Sequence, residues 1–85
     1  MKVAQNLFAN YRVINNSTYI ILDNEAFQLG TIEKMIWEKI GTGNSIENII
    51  SQIQKSFDDQ NEAVIEKDVK EFIDELIESN LVEKI

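Results

Sequence analysis

Fifteen acidic and eight basic side chains carry nearly all of the ionisable chemistry of this 85-residue chain, which has no histidine and no cysteine. Histidine is the usual general base and metal ligand near neutral pH, so its absence removes the commonest catalytic proposals. Without cysteine there is no thiolate nucleophile, no thiolate metal site and no disulfide framework. Carboxylates remain, but a pair working as acid and base needs a cleft that a 9.8 kDa domain can hardly enclose. No catalytic residue, metal site or cofactor is expected, and what remains is the chemistry of binding. Two sets of residues could supply it. One is the backbone of Glu25-Ala26-Phe27-Gln28-Leu29, a run that reads as a strand guarded only by the terminal Glu25. The other is Asp68, Phe72 and Glu75, which at spacings of four and three residues lie along one border of a helical stripe.

The surrounding pattern says what must position these groups. Tyr11-Arg12-Val13-Ile14 and Thr18-Tyr19-Ile20-Ile21-Leu22 are β-branched and aromatic, and Asn15-Asn16-Ser17 between them tolerates the positive φ of a tight turn. Asp23-Asn24 makes a second turn before the run from Glu25 to Leu29, so a three-stranded meander is expected. From Gly30 the period changes to helical. Ile32, Met35, Ile36 and Ile40 recur with Trp37 beside them, read as core, and Gly41 supplies a left-handed stop. Ser45 is a good N-cap for a second helix with Ile46, Ile49, Ile50, Ile53 and Phe57 on its stripe. Residues 58–63 read as a loop. A third helix then carries Ile65, Val69, Phe72, Ile73, Leu76 and Ile77 on one face, Asn80 closes it, and Leu81-Val82 folds back on the core. The fold class is α+β: a three-stranded antiparallel N-terminal sheet followed by three helices, in the outline of a winged helix-turn-helix.

One domain spanning residues 1–85 fits this length, and it buries only about 60–65% of its unfolded surface. No apolar run reaches the roughly 18–20 residues of a membrane span, and Met1-Lys2-Val3-Ala4-Gln5-Asn6 lacks the plan of a signal peptide. A cytoplasmic location without membrane attachment is the default expectation.

Charge argues against nucleic acid. In residues 1–43 Asp23, Glu25, Glu33 and Glu38 balance Lys2, Arg12, Lys34 and Lys39, so the net charge of −7 falls wholly in residues 44–85. The third helix, the normal DNA reader of a winged helix, carries Glu66, Asp68, Glu71, Asp74, Glu75 and Glu78 against Lys67 and Lys70. Counterion release needs cations against phosphate, so this face is repelled by a polyanion. An extended peptide is better suited. The first and third strands of a meander are edges with unpaired N–H and C=O groups, and an edge beside an apolar helix can accept a peptide as a further strand.

Read end to end, the chain resembles the PqqD-like family, the recognition elements for precursors of ribosomally made, post-translationally modified peptides. The likeness rests on Tyr19-Ile20-Ile21-Leu22-Asp23, Ala26-Phe27-Gln28-Leu29, Ile36-Trp37, and Gly43 ahead of Ser45-Ile46-Glu47-Asn48-Ile49-Ile50. Asp68-Val69, Phe72-Ile73, Leu76 and Leu81-Val82 complete it, over roughly residues 10–83. Two departures stand out. Gly30 replaces the usual helix-capping asparagine, and Asp23-Asn24-Glu25 lacks the usual turn glycine.

The resemblance implies a module without catalysis of its own. A precursor's leader segment would add to the strand Glu25–Leu29 and lie against the third helix. Phe27 or Ala26, with Ile65, Val69 and Phe72, would receive its apolar side chains, and Asp68 or Glu75 its polar or basic ones. The implied partner is a modifying enzyme: a leader peptidase with a cyclase, as in lasso-peptide systems, or a radical-SAM enzyme, as in pyrroloquinoline quinone synthesis. The rival readings are a winged-helix DNA-binding regulator and an adaptor that holds a folded protein through the acidic helix.

Overall fold

The computed structural model describes residues 1–85 and contains six strands and three helices. The expected meander is present as β2 (Asn10–Ile14), β3 (Ser17–Leu22) and β4 (Glu25–Leu29), antiparallel throughout with β3 in the middle. Both connections are two-residue turns, Asn15-Asn16 with φ of 51° and 65°, and Asp23-Asn24 with φ of 51° and 68°. Positive φ at both central residues is the turn geometry whose twist matches antiparallel strands. Asparagine and aspartate reach it at lower cost than other side chains, which is why no glycine is needed there.

The expected sheet is not the whole of the β-structure. Ahead of the meander runs β1 (Lys2–Gln5), which pairs on one side with β5 (Asn44–Ser45) and on the other with β6 (Val82–Lys84). This second three-stranded sheet corrects the reading of three strands alone. Its register joins distant parts of the chain: Val3 lies opposite both Asn44 and Lys84, and Gln5 opposite Val82. Both ends of the chain are therefore committed to this sheet.

The helices are α1 (Thr31–Ile40), α2 (Ile46–Ser56) and α3 (Glu62–Glu78). Gly30 caps α1 with no side chain of its own, and Glu33 reaches back so that its Oε1 accepts the Gly30 N–H at 2.6 Å. Ser45 Oγ accepts from Asn48 N at 3.1 Å, as its type predicts. The loop expected over residues 58–63 is shorter than that. Asn61 Oδ1 accepts from Ala63 N at 2.9 Å and from Val64 N at 3.3 Å, so the last two loop positions join α3. At the other end Asn80 takes φ 62°, and Leu81 and Val82 return to the core.

The core joins all layers. Val3, Ile20, Ile40, Ile49 and Ile73 are fully buried, with Trp37 at 4% exposure. Ile65, Val69, Ile73 and Leu76 form the buried stripe of α3, while Phe72 and Ile77 at its margins are half-buried. Ile32 departs from expectation. It keeps helical spacing with Met35, Ile36 and Ile40, yet it is 48% exposed.

Candidate functional site

The site begins with the free side of β4. This strand is hydrogen-bonded to β3 alone, with Leu22 opposite Glu25, Ile20 opposite Phe27, and Thr18 opposite Leu29. A two-residue turn closes with a bond from the residue after it to the carbonyl before it, so the Glu25 N–H is directed inward to Leu22. Antiparallel pairing alternates from there. Phe27 and Leu29 also direct N–H and C=O to β3, whereas Ala26 and Gln28 direct theirs away from the sheet. The side chains alternate in the same rhythm: Phe27 is half-buried and Leu29 buried, while Ala26 and Gln28 are exposed.

Alongside this edge lies α3. Ala26, Phe27, Gln28 and Leu29 form one wall of a groove of about 350 Å³, and Phe72, Glu75, Leu76 and Ser79 form the other. At its end Glu33 and Phe72 lead into a shallower stretch that also includes Ile32, Ile36 and Asp68. Ile32 and Asp68 then border a third depression of about 210 Å³, whose remaining walls include Phe57, Val64, Ile65 and Val69. These three depressions share residues in sequence and make one continuous path from the β4 edge to the junction of α1, α2 and α3.

The candidate residues are thus divided between two places. Ala26, Phe27, Gln28, Leu29, Phe72 and Glu75 meet in the β4 groove, and Asp68 stands midway. Ile65 and Val69 lie farther along, in the third depression, and are 9% and 1% exposed, so most of their surface is core. Glu25 borders none of the three and sits exposed beside the turn. Sequence reasoning missed Glu33, Leu76, Ser79 and Leu81 in the groove, and Phe57 and Val64 beyond it. Val64 is 54% exposed, an apolar side chain off the buried stripe of α3. Its isolation on an otherwise charged face was the available signal.

Electrostatics give the path one sign. Lys67 and Lys70, the only cations of α3, are engaged with Glu71 at 4.0 Å and Glu66 at 3.8 Å. Asp68 and Glu75 have no cation within 4 Å, and no lysine or arginine borders any of the three depressions. No three metal-ligating side chains come together. The arrangement offers outward backbone donors and acceptors, apolar walls and carboxylates without a cation within 4 Å.

The model of the family described as coenzyme PQQ synthesis protein D (PqqD) matches residues 18–82. The chain belongs to the PqqD family. The matched span runs from β3 into β6 and includes every candidate residue, whereas β1 and β2 fall outside it. The PqqD family serves the biosynthesis of PQQ and related modified peptides as non-catalytic accessories that bind precursor peptides. No curated protein and no solved structure matches the chain. No helix is long and apolar enough to cross a membrane.

Proposed function

We propose that this chain, as a single winged helix-turn-helix domain over residues 1–85, binds the leader segment of a ribosomally synthesised precursor peptide in the cytoplasm. The leader adds as a strand to β4, packs its inward side chains against Phe27 and Phe72, and is delivered to a modifying or leader-cleaving enzyme. A leader peptidase with a cyclase and a radical-SAM enzyme both suit such a delivery module, in lasso-peptide or PQQ-like synthesis.

The observation that carries this reading is the free β4 edge, with the amides of Ala26 and Gln28 turned outward beside the α3 groove. The terminal strands β1 and β6 do not cover it, because both are paired in the other sheet. Exposed edges are normally blunted by lysine, proline or a bulge. Here the two outward positions are an alanine and a glutamine, and nothing on them obstructs a partner.

The test is calorimetric titration with the N-terminal segment of a short precursor encoded beside this chain's gene. Strand addition with two or three side-chain anchors is expected to give micromolar affinity or tighter, about 8 kcal/mol or more. Gln28→Pro removes an outward donor without breaking the β3 ladder, since an edge strand tolerates proline at such a position, and should abolish binding. Phe72→Ala should weaken it about tenfold, roughly 1.4 kcal/mol. If both variants bind as the original does, the groove is not the binding site.

A further inference from the structure

The meander has a second open edge, β2, which peptide addition to β4 does not use. It pairs with β3 alone, and all five of its residues are exposed. Five of the nine exposed large hydrophobic residues of the chain fall within residues 7–14: Leu7, Phe8, Tyr11, Val13 and Ile14. Leu7 and Phe8 are 92% and 80% exposed, and the turn that carries them is fixed. Asn6 N donates to the Leu81 carbonyl at 2.9 Å, and Asn6 Nδ2 to the Asn80 carbonyl at 2.7 Å. The oxygens of Asn6 accept in turn from Phe8 N and Ala9 N. A single exposed apolar residue is ordinary, whereas several gathered on one strand edge mark an interaction surface.

Charge and register specify the occupant. Residues 3–22 hold one charged side chain, Arg12, and all fifteen acids lie outside them. Two copies of this acidic chain approach there with the least mutual repulsion. Ile14 and Ser17 flank a two-residue turn, so Ile14 directs its N–H and C=O to β3, while Tyr11 and Val13 direct theirs outward. Their side chains lie on the face of Ile20 and Thr18, the core side, yet overhang its rim. A two-fold axis perpendicular to the sheet pairs such an edge with itself. Centred on Arg12, it would set two guanidinium groups directly opposite, which is unfavourable. Centred on Val13, it would run Tyr11 against Asn15 of the turn. Centred on Tyr11, it sets Arg12 opposite the neutral Asn10, Val13 opposite Ala9, and Phe8 level with Ile14. That register alone gives Phe8 an apolar neighbour on the facing strand.

We propose that two copies of this chain associate through β2, antiparallel about a two-fold axis at Tyr11, into a six-stranded sheet. A β4 strand then forms each outer end of that sheet, with its groove open and away from the contact. Pairing β2 of one copy with β4 of another would be head-to-tail and would not close. Glu33, Asp68 and Glu75 beside β4 also disfavour a second acidic chain on that side.

Sedimentation equilibrium of the full-length chain tests the contact. The expected result is a monomer–dimer equilibrium reaching twice 9.8 kDa, with a dissociation constant below about 100 μM. Raising salt from about 50 to 500 mM should tighten it, because net charges of like sign are screened. Phe8→Ser and Val13→Pro should each weaken it by about tenfold or more. Both positions are exposed, and the proline falls where β3 receives no bond, so the fold should survive. Unchanged near-ultraviolet signals from buried Trp37 establish that it has. Gln28→Pro, on the other edge, should leave the dimer intact. Cysteine reads the register, since the chain has none of its own. Tyr11→Cys would place paired Cα atoms about 5.5 Å apart, within disulfide range, whereas Val13→Cys would leave them more than about 13 Å apart. Tyr11→Cys should therefore oxidise to a covalent dimer and Val13→Cys should not. Equal cross-linking at the two positions overturns the register. A monomer at about 500 μM, a mass that grows beyond the dimer, or a dimer lost with Gln28→Pro but kept with Phe8→Ser and Val13→Pro overturns the β2 contact.

Discussion

Asn24, at φ 68°, shows how much of the site depends on single residues. The turn it shares with Asp23 sets Leu22 opposite Glu25, and that register decides which β4 amides face outward. A one-residue slip would turn Phe27 to solvent and reverse the amides. Glycine reaches positive φ without the Cβ penalty, so Asn24→Gly should raise stability by about 0.5 kcal/mol. Asn24→Val should lower it by more than about 1 kcal/mol, both read from urea unfolding. The turns were legible in the sequence because asparagine and aspartate are the non-glycine residues that tolerate this conformation. Glu47 offers a second residue-scale expectation. Its own backbone N–H, and then the Met1 amino group at 3.3 Å, hold its carboxyl below the ordinary value of 4.5. The folded chain thus favours the ionised form. The associated stability is complete above the ordinary value and is lost as pH falls through the depressed one. Carboxyl NMR should place the Glu47 midpoint below 4.5. Acetylating the Met1 amino group should raise it only part-way, because the backbone bond remains.

Among the elements, β1, β5 and β6 left no local mark in the sequence. They are four, two and three residues long, and their partners lie up to about eighty positions away, so no short window reveals them. Their importance lies in Val3, which is fully buried although it belongs to the second residue of a short terminal strand. Val3→Ala removes two buried methyl groups and leaves a cavity under the helices. It should cost about 2 kcal/mol in chemical denaturation, with peptide binding by the surviving folded fraction unchanged. The helices were more legible, since their stripes and caps are local. The candidate site was legible in one dimension only. A helical wheel places Asp68, Phe72 and Glu75 on one border correctly but says nothing of height along the axis. Ile65 and Val69 therefore read as neighbours of β4, when Val69 stands about one turn and Ile65 about two turns beyond Phe72, the nearest α3 residue of the β4 groove. Ile32 escaped for a related reason: spacing assigns it to a stripe, but only the packing of α1 against α3 decides where that stripe ends.

For the whole molecule, the uneven charge separates the forces that attract a ligand from those that hold it. The net charge of −7 resides in residues 44–85, and Asp68 and Glu75 belong to that half. Both are exposed, so their attraction for a cationic peptide is screened over about 10 Å at 0.1 M salt and about 3 Å at 1 M. The β4 amides and the apolar walls are far less sensitive to salt, because hydrogen bonding and burial act at contact. A lysine-bearing leader should therefore associate several-fold more slowly when salt is raised from 50 to 500 mM, on the order expected for rim charges, with dissociation nearly constant. Stopped-flow mixing separates the two rates. A leader with its lysine replaced by glutamine should lose most of the salt dependence of association, since only the overall field remains. Duplex DNA, carrying the opposite sign of charge to such a leader, should show no retarded complex even at 50 mM salt. If dissociation carries the salt dependence instead, the carboxylates are buried partners in the bound state, and the path along α3 closes over its ligand.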